Sequence, residues 1–168
     1  QAYQAIDRLH EAGLIYDAHI MTGVAGKGRG MENAEALAQF LNRTNPAHVV
    51  NFSMFLHKEV PLYEDIRQGT FVPADELETI REEYHLIERI APEKAGANIL
   101  YDGFHDFIHV RVRGHLPGDK EKMLAKLSGI IQEYEGKEPV YSFVQGECPD
   151  LEYCDDGKAV WDMDRKTS

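Results

Sequence analysis

The polar side chains best placed to meet a ligand alternate with apolar ones in two short stretches of this 168-residue chain. In the first, Asp17 and His19, followed by Met21, alternate with Leu14, Tyr16, Ala18 and Ile20. In the second, Asn51 and Ser53, followed by Phe55, alternate with Val50, Phe52, Met54 and Leu56. Side chains point to opposite faces in turn along a strand, so each stretch reads as a strand with one apolar and one polar-bearing face. A central strand covered by helices on both sides would be apolar on both. A barrel wall explains the asymmetry, with the apolar face against outer helices and the mixed face lining a lumen. The expectation is that Asp17, His19, Met21, Asn51, Ser53 and Phe55 share one concave surface. Division of these six between two faces of a sheet would sink the barrel reading.

A glycine-rich segment, Gly23-Val-Ala-Gly26-Lys-Gly28-Arg-Gly30, follows the first strand and leads into a helix. Unpaired N–H groups at a helix start suit an anion or a polar ligand. The segment contains no Gly-Lys-Ser/Thr, and its glycine spacing is not Gly-x-Gly-x-x-Gly. On their own these glycines serve equally well as turn residues. Asp102 and His105 could line a substrate side, although an Asp-Gly turn and a solvated histidine account for them more simply. His105 and His109 do not read as a metal pair, because four strand residues span roughly 13 Å. Arg111 and Arg113 are expected to pair with the chain's own acids. The two cysteines, Cys148 and Cys154, are too few for a disulfide scaffold and fit a reducing cytosol, where the chain is expected to reside.

Periodicity supplies the elements that must hold these groups. Residues 2–12 read as a helix stopped by Gly13, and Leu14–Gly23 as a strand. A second helix runs from Met31 with Ala34, Leu37, Ala38 and Leu41 inward, ending before Asn45-Pro46. His48–Leu56 is a second strand and 57–72 a long loop. Pro73 opens a third helix with the apolar stripe Leu77, Ile80, Tyr84, Ile87 and Ile90. Strands alternating with helices imply an α/β fold with a parallel sheet. Ligands in such folds bind at the C-terminal ends of the strands, here Met21–Gly23 with the glycine loop, and Phe55–His57.

Beyond residue 91 the pattern changes. Asp102-Gly103 reads as a hairpin turn and 107–113 as a half-buried strand. A fourth helix begins at Pro117 and Asp119, buries Met123, Leu124, Leu127, Ile130 and Ile131, and ends at Gly136. Val140–Val144 reads as a short strand, and residues 146–168 as an acidic, aperiodic tail. Two strands are too few for a stable sheet core, and the first helix has no strand ahead of it to pack beside. Earlier βα units are therefore expected outside this chain. Three parts result: 1–91, the last βα units; 92–136, a hairpin and helix extension; and 137–168, a short strand and tail.

The net charge of −11 argues against binding nucleic acid, which needs clustered Lys and Arg. No apolar run approaches the roughly 18 residues of a membrane span.

Several motifs, taken in order, resemble the radical S-adenosylmethionine (radical SAM) enzymes. His19-Ile-Met-Thr-Gly-Val-Ala-Gly26, then Glu32-Asn33-Ala34-Glu35 and Phe40-Leu41-Asn42, is similar to that family's fifth strand and following helix. The branch it resembles most is the bacterial one related to the Elongator catalytic subunit and to oxygen-independent coproporphyrinogen oxidases. Val60-Pro61-Leu62-Tyr63-Glu64-Asp65-Ile66 is similar to the exit from the sixth strand. His105, then Gly114-His-Leu-Pro117-Gly-Asp119-Lys120, is similar to a C-terminal segment of the same branch. The likeness covers roughly residues 1–131.

The resemblance implies the C-terminal portion of a partial (β/α)6 barrel with a small α+β extension. In that family three cysteines in C-x-x-x-C-x-x-C hold a 4Fe–4S cluster, which cleaves SAM reductively to a 5′-deoxyadenosyl radical. By position, the resemblance places His19, Met21, Gly23, Ser53, Phe55, Leu56 and His57 around SAM, and Asp17, Asn51, Asp102 and His105 on the substrate side. The cysteine motif is absent here, the family's Gly-Thr before Pro-Leu-Tyr is Glu59-Val60, and an Asn expected after His105 is Ile108. The chain alone is therefore expected to be inactive and to need the missing N-terminal half as its partner, with dimerisation through exposed strand edges as a further route. Two alternatives stand beside this reading: a fragment of a phosphate-binding (β/α)8 barrel, and a non-catalytic interaction module without a cluster.

Overall fold

Helix α1 (Ala2–Glu11) opens the chain and lies beside helix α2 (Gly30–Thr44), with Tyr3 against Phe40 and the Arg43 guanidinium over the Tyr3 ring. The computed structural model describes residues 1–142 together with two short strands further on, β5 (Leu151–Tyr153) and β6 (Ala159–Trp161). Between α1 and α2 runs strand β1 (Asp17–Thr22). Then follow β2 (His48–Ser53), α3 (Pro61–Gln68), α4 (Glu76–Arg89), β3 (Ile99–His105), β4 (Val110–Leu116) and α5 (Lys120–Tyr134).

The chain is an α/β protein with five helices among the described residues and a four-stranded mixed sheet in the order β1-β2-β3-β4. Strands β1, β2 and β3 are parallel, and β4 is antiparallel to β3. Helices α2, α4 and α5 cover one face. Ala34, Ala38 and Leu41 of α2, Ile80, Leu86 and Ile87 of α4, and Met123 and Leu127 of α5 pack on Ala18, Val49, Ile99, Tyr101 and Val112. The alanines let α2 approach the sheet and α4 closely. Asn45 ends α2 in the left-handed region (φ 45°), and the following proline prevents continuation. Asp75 caps α4 by accepting from the Glu78 N–H at 2.8 Å.

Among the described residues, no helix covers the other face. Across it the register makes three rows: Met21, Phe52, Phe104 and Arg111; His19, Val50, Asp102 and Arg113; Asp17, His48, Leu100 and His115.

Several expectations are corrected. The first strand starts at Asp17, and Leu14 and Ile15 are exposed outside it. The loop 57–72 contains α3, which Pro61 begins and Gly69 ends. Asp102-Gly103 is not a turn but the middle of β3, so a third parallel strand extends the sheet. The reversal lies at a 3-10 turn, Asp106–Ile108, closed by His109 with φ 54°. The strand expected at 107–113 is shifted to Val110–Leu116. Within the tail, β5 and β6 form an antiparallel pair. Cys148, Cys154 and the end of the expected strand Val140–Val144 lie outside the described residues. Among the described residues, no helix is long and apolar enough to cross a membrane.

Gly103 is a glycine for reasons of space. A Cβ there would collide with the Glu83 carboxylate, which reaches down from α4. Gly103→Ala should therefore lower unfolding free energy by about 1–3 kcal/mol, the usual cost of overpacking, as measured by urea denaturation. An unchanged midpoint would contradict this close approach.

Candidate functional site

Helix α4 carries glutamates on its buried face. Glu76 and Glu83 stand seven residues apart, on the same stripe as Ile80, Ile87 and Ile90. Each meets a polar group from the sheet. Glu76 accepts from the Ser53 hydroxyl at 2.7 Å, and Glu83 from the Asn51 amide at 3.1 Å and the Tyr101 hydroxyl at 2.9 Å. His105 lies between the two carboxylates, its Nδ1 3.1 Å from Glu76 and its Nε2 3.0 Å from Glu83. Neither His105 nor Glu83 has exposed surface, and Glu76 is 2% exposed.

A neutral imidazole has one N–H and would leave one flanking carboxylate facing a lone pair. The imidazolium donates to both. Burial alone would drive the charged ring down, but the hydrogen bonds to Glu76 and Glu83 and their negative charges outweigh it, raising the group from 6.5 to about 10. Burial and the Glu83 charge push the Tyr101 hydroxyl well above its ordinary range, so it stays a donor.

Glu82, next along the helix, holds the glycine loop. It accepts from the Gly23 N–H at 2.9 Å and the Asn33 amide at 2.5 Å. Burial raises its carboxyl, and the bonds from Asn33 and Gly23 partly oppose this. Gly23 has φ +87°, and a Cβ would approach Thr79 at 2.9 Å. Glu78 accepts from the Gly28 N–H at 3.3 Å. Two loop amides that could have cradled an anion are thus occupied by the chain's own carboxylates, whose charge opposes a phosphate.

The six residues expected on one concave surface are divided. Asp17, His19 and Met21 are on the uncovered face, whereas Asn51 and Ser53 point beneath α4. Phe55 lies beyond the end of β2 and is 52% exposed. Strand parity therefore gives no barrel lumen: on β2 the polar parity faces the helices, because buried glutamates satisfy it there, and the barrel reading drawn from that parity is overturned. His105, expected on the substrate side, is sealed with Asn51. Asp102 is on the uncovered face and accepts from Arg111 Nε and Nη2 at 2.8 and 2.6 Å, with Arg113 at 3.6 Å. The Arg111 hydrogen bonds hold the Asp102 carboxyl below its usual range. Both arginines do pair with an acid of this chain.

Of the remaining positions, Leu56 is buried against Ile66, and His57 Nδ1 accepts from the Glu59 N–H at 3.1 Å. Among the described residues, no three of His, Cys, Asp and Glu are placed to hold a metal ion. Sequence reasoning missed Glu76, Glu82 and Glu83. The available signal was the presence of glutamates on the apolar stripe of their own helix. No family model, curated protein or solved structure matches this chain.

The His105 contribution to stability has a definite sign. Its pKa is raised on folding, so the contribution is complete below about pH 6.5 and is lost as pH rises towards about 10. Between those limits stability should fall by about 1 kcal/mol per pH unit in urea titrations, and His105→Gln should flatten that slope. A wild-type chain equally stable at pH 7 and pH 9 would contradict the charged node. Glu82→Ala should release the glycine loop, seen as faster hydrogen exchange at the Gly23 amide. Unchanged exchange would mean that Glu82 does not hold it.

Proposed function

We propose that this chain is the C-terminal wall of a radical SAM partial (β/α)6 barrel. It would complete an enzyme whose 4Fe–4S cluster is held by residues other than its own. The observation that carries this reading is the one-sided sheet. Among the described residues, three parallel strands have helices over one face only, the β1 edge is unpaired within the sheet, and Val50, Phe52, Leu100 and Phe104 remain partly exposed on the uncovered face. Further βα units would pair with such an edge and close the sheet round such a face. The motifs from His19 to Gly26, Glu32 to Glu35 and Val60 to Ile66 say which units those are. On this reading β1 and β2 are the fifth and sixth barrel strands, and the lumen side is the uncovered face. That side carries Asp17, His19, Met21 and Asp102, while Asn51, Ser53 and His105 act behind the wall.

The chain's own donors do not fit the cluster. Three thiolates are required, and Cys148 and Cys154 are two. No reaction step is therefore assigned to this chain. For SAM the fit is narrower than the motif suggests. The Gly23 amide is committed to Glu82, the Ser53 hydroxyl to Glu76, and Leu56 to Ile66. His19, Met21 and Phe55 keep accessible side chains and would form the wall beside the adenosine moiety. The phosphate-binding barrel loses its main support, since Glu82 and Glu78 take the amides that would bind phosphate.

Anaerobic iron–sulfide reconstitution tests the proposal. The chain alone should show no cluster absorption and no SAM cleavage. Co-expression with an upstream-encoded segment bearing C-x-x-x-C-x-x-C should give both. A cluster spectrum with SAM cleavage from the chain alone, or an upstream reading frame lacking the motif, would refute it.

A further inference from the structure

The uncovered face is electrically lopsided. Asp17 stands on β1 at one edge, and Arg111 and Arg113 on β4 at the other. One carboxylate, Asp102, serves both guanidinium groups. It binds Arg111 through two hydrogen bonds, and at 3.6 Å Arg113 adds charge without a hydrogen bond. With Asp17 the face carries two carboxylates and two guanidinium groups, but Asp17 is at the far edge, so at the β4 end one positive charge is left over, on a chain whose net charge is −11. The Arg113 side chain is 56% exposed, and its guanidinium donates no hydrogen bond to another described residue. Beside this pair lies a row of rings. The Arg111 guanidinium sits 4.7 Å from the Phe104 centroid, Phe104 stacks on Phe52 at 5.6 Å, and Phe52 lies 6.4 Å from His19.

We propose that this face binds a small organic anion, with its carboxylate or phosphate on Arg113 and Arg111 and a flat apolar body along Phe104 and Phe52. The inference rests on reading the uncovered face as the ligand-facing wall. A guanidinium with free donors favours a planar oxyanion, and the rings offer apolar contact that a lone arginine cannot. Asp17 repels a second anion at the far edge, so the charged end points to β4 and the body towards β1. A neutral ligand would leave the spare charge unanswered, and a cation would oppose it.

Fluorescence titration of the chain with pyrene-1-carboxylate and with the neutral pyrene-1-methanol tests this. At low salt the carboxylate should bind about tenfold tighter, and Arg113→Gln should cut that preference to about threefold or less. Phe104→Leu should weaken both probes together. Lys94→Gln, in the loop between α4 and β3, should leave the preference intact. Equal affinity for the two probes, or a preference unchanged in Arg113→Gln, would overturn the proposal. So would a concentration-dependent dimer in sedimentation that Phe52→Ser dissolves, because a second copy would then cover the face. The result is separable from the cluster test: the probes can fail while an upstream cysteine motif stands, and they can succeed where it is missing.

Discussion

One buried charge triad holds this structure together: the His105 imidazole between the carboxylates of Glu76 and Glu83. Burying ionisable groups is costly unless each finds a partner, and breaking such a set by removing one member typically costs about 3–5 kcal/mol. Here both ring nitrogens face a carboxylate, and Ser53, Asn51 and Tyr101 take up further oxygen positions on those carboxylates. The geometry leaves little freedom. Helix α4 can lie only where its two glutamates straddle the ring, and Gly103 removes the side chain that would keep Glu83 away. Glu82 on the next position carries the same constraint to the glycine loop, and through Asn33 to α2.

That arrangement gives the two faces of the sheet different work. The covered face is committed: its polar groups are nearly all used in fastening α4, and the loop amides that might have received an anion are filled by glutamate. What remains for a ligand or for further strands is the uncovered face and the β1 edge. The radical SAM reading and the anion-binding reading both start from this division, the first from the missing cover and the second from the uneven charge on what is left bare.

The elements were largely legible in the sequence, because helix periodicity and glycine or proline stops act locally. Ala34, Ala38 and Leu41 announced α2, and the stripe from Ile80 to Ile90 announced α4. The side each strand presents was less legible. Asn51 and Ser53 look like lumen residues in the sequence because a polar side chain on a strand ordinarily marks an open surface. Their partners, Glu83 and Glu76, lie 32 and 23 residues further on, on a helix, where glutamate ordinarily means a solvated face. The Asp102-Gly103 pair misled for a related reason. Its glycine answers a carboxylate from another element, not a local turn. Long-range partners of this kind leave no periodic trace. The one available hint was glutamate on the helix's own apolar stripe. The pairing of Arg111 and Arg113 with an acid of the same chain was foreseen, whereas the identity of that acid required the register of β3 against β4.

Nitrogen-15 NMR of the His105 ring addresses the central claim most directly. At pH 8, where ordinary histidines are neutral, both Nδ1 and Nε2 of His105 should give the shifts of a protonated ring, each with a one-bond coupling to its own slowly exchanging proton, held by Glu76 and Glu83 respectively. A neutral-tautomer pattern at pH 8, with one ring nitrogen bare, would contradict it, and α4 would then need another explanation for its place on the sheet.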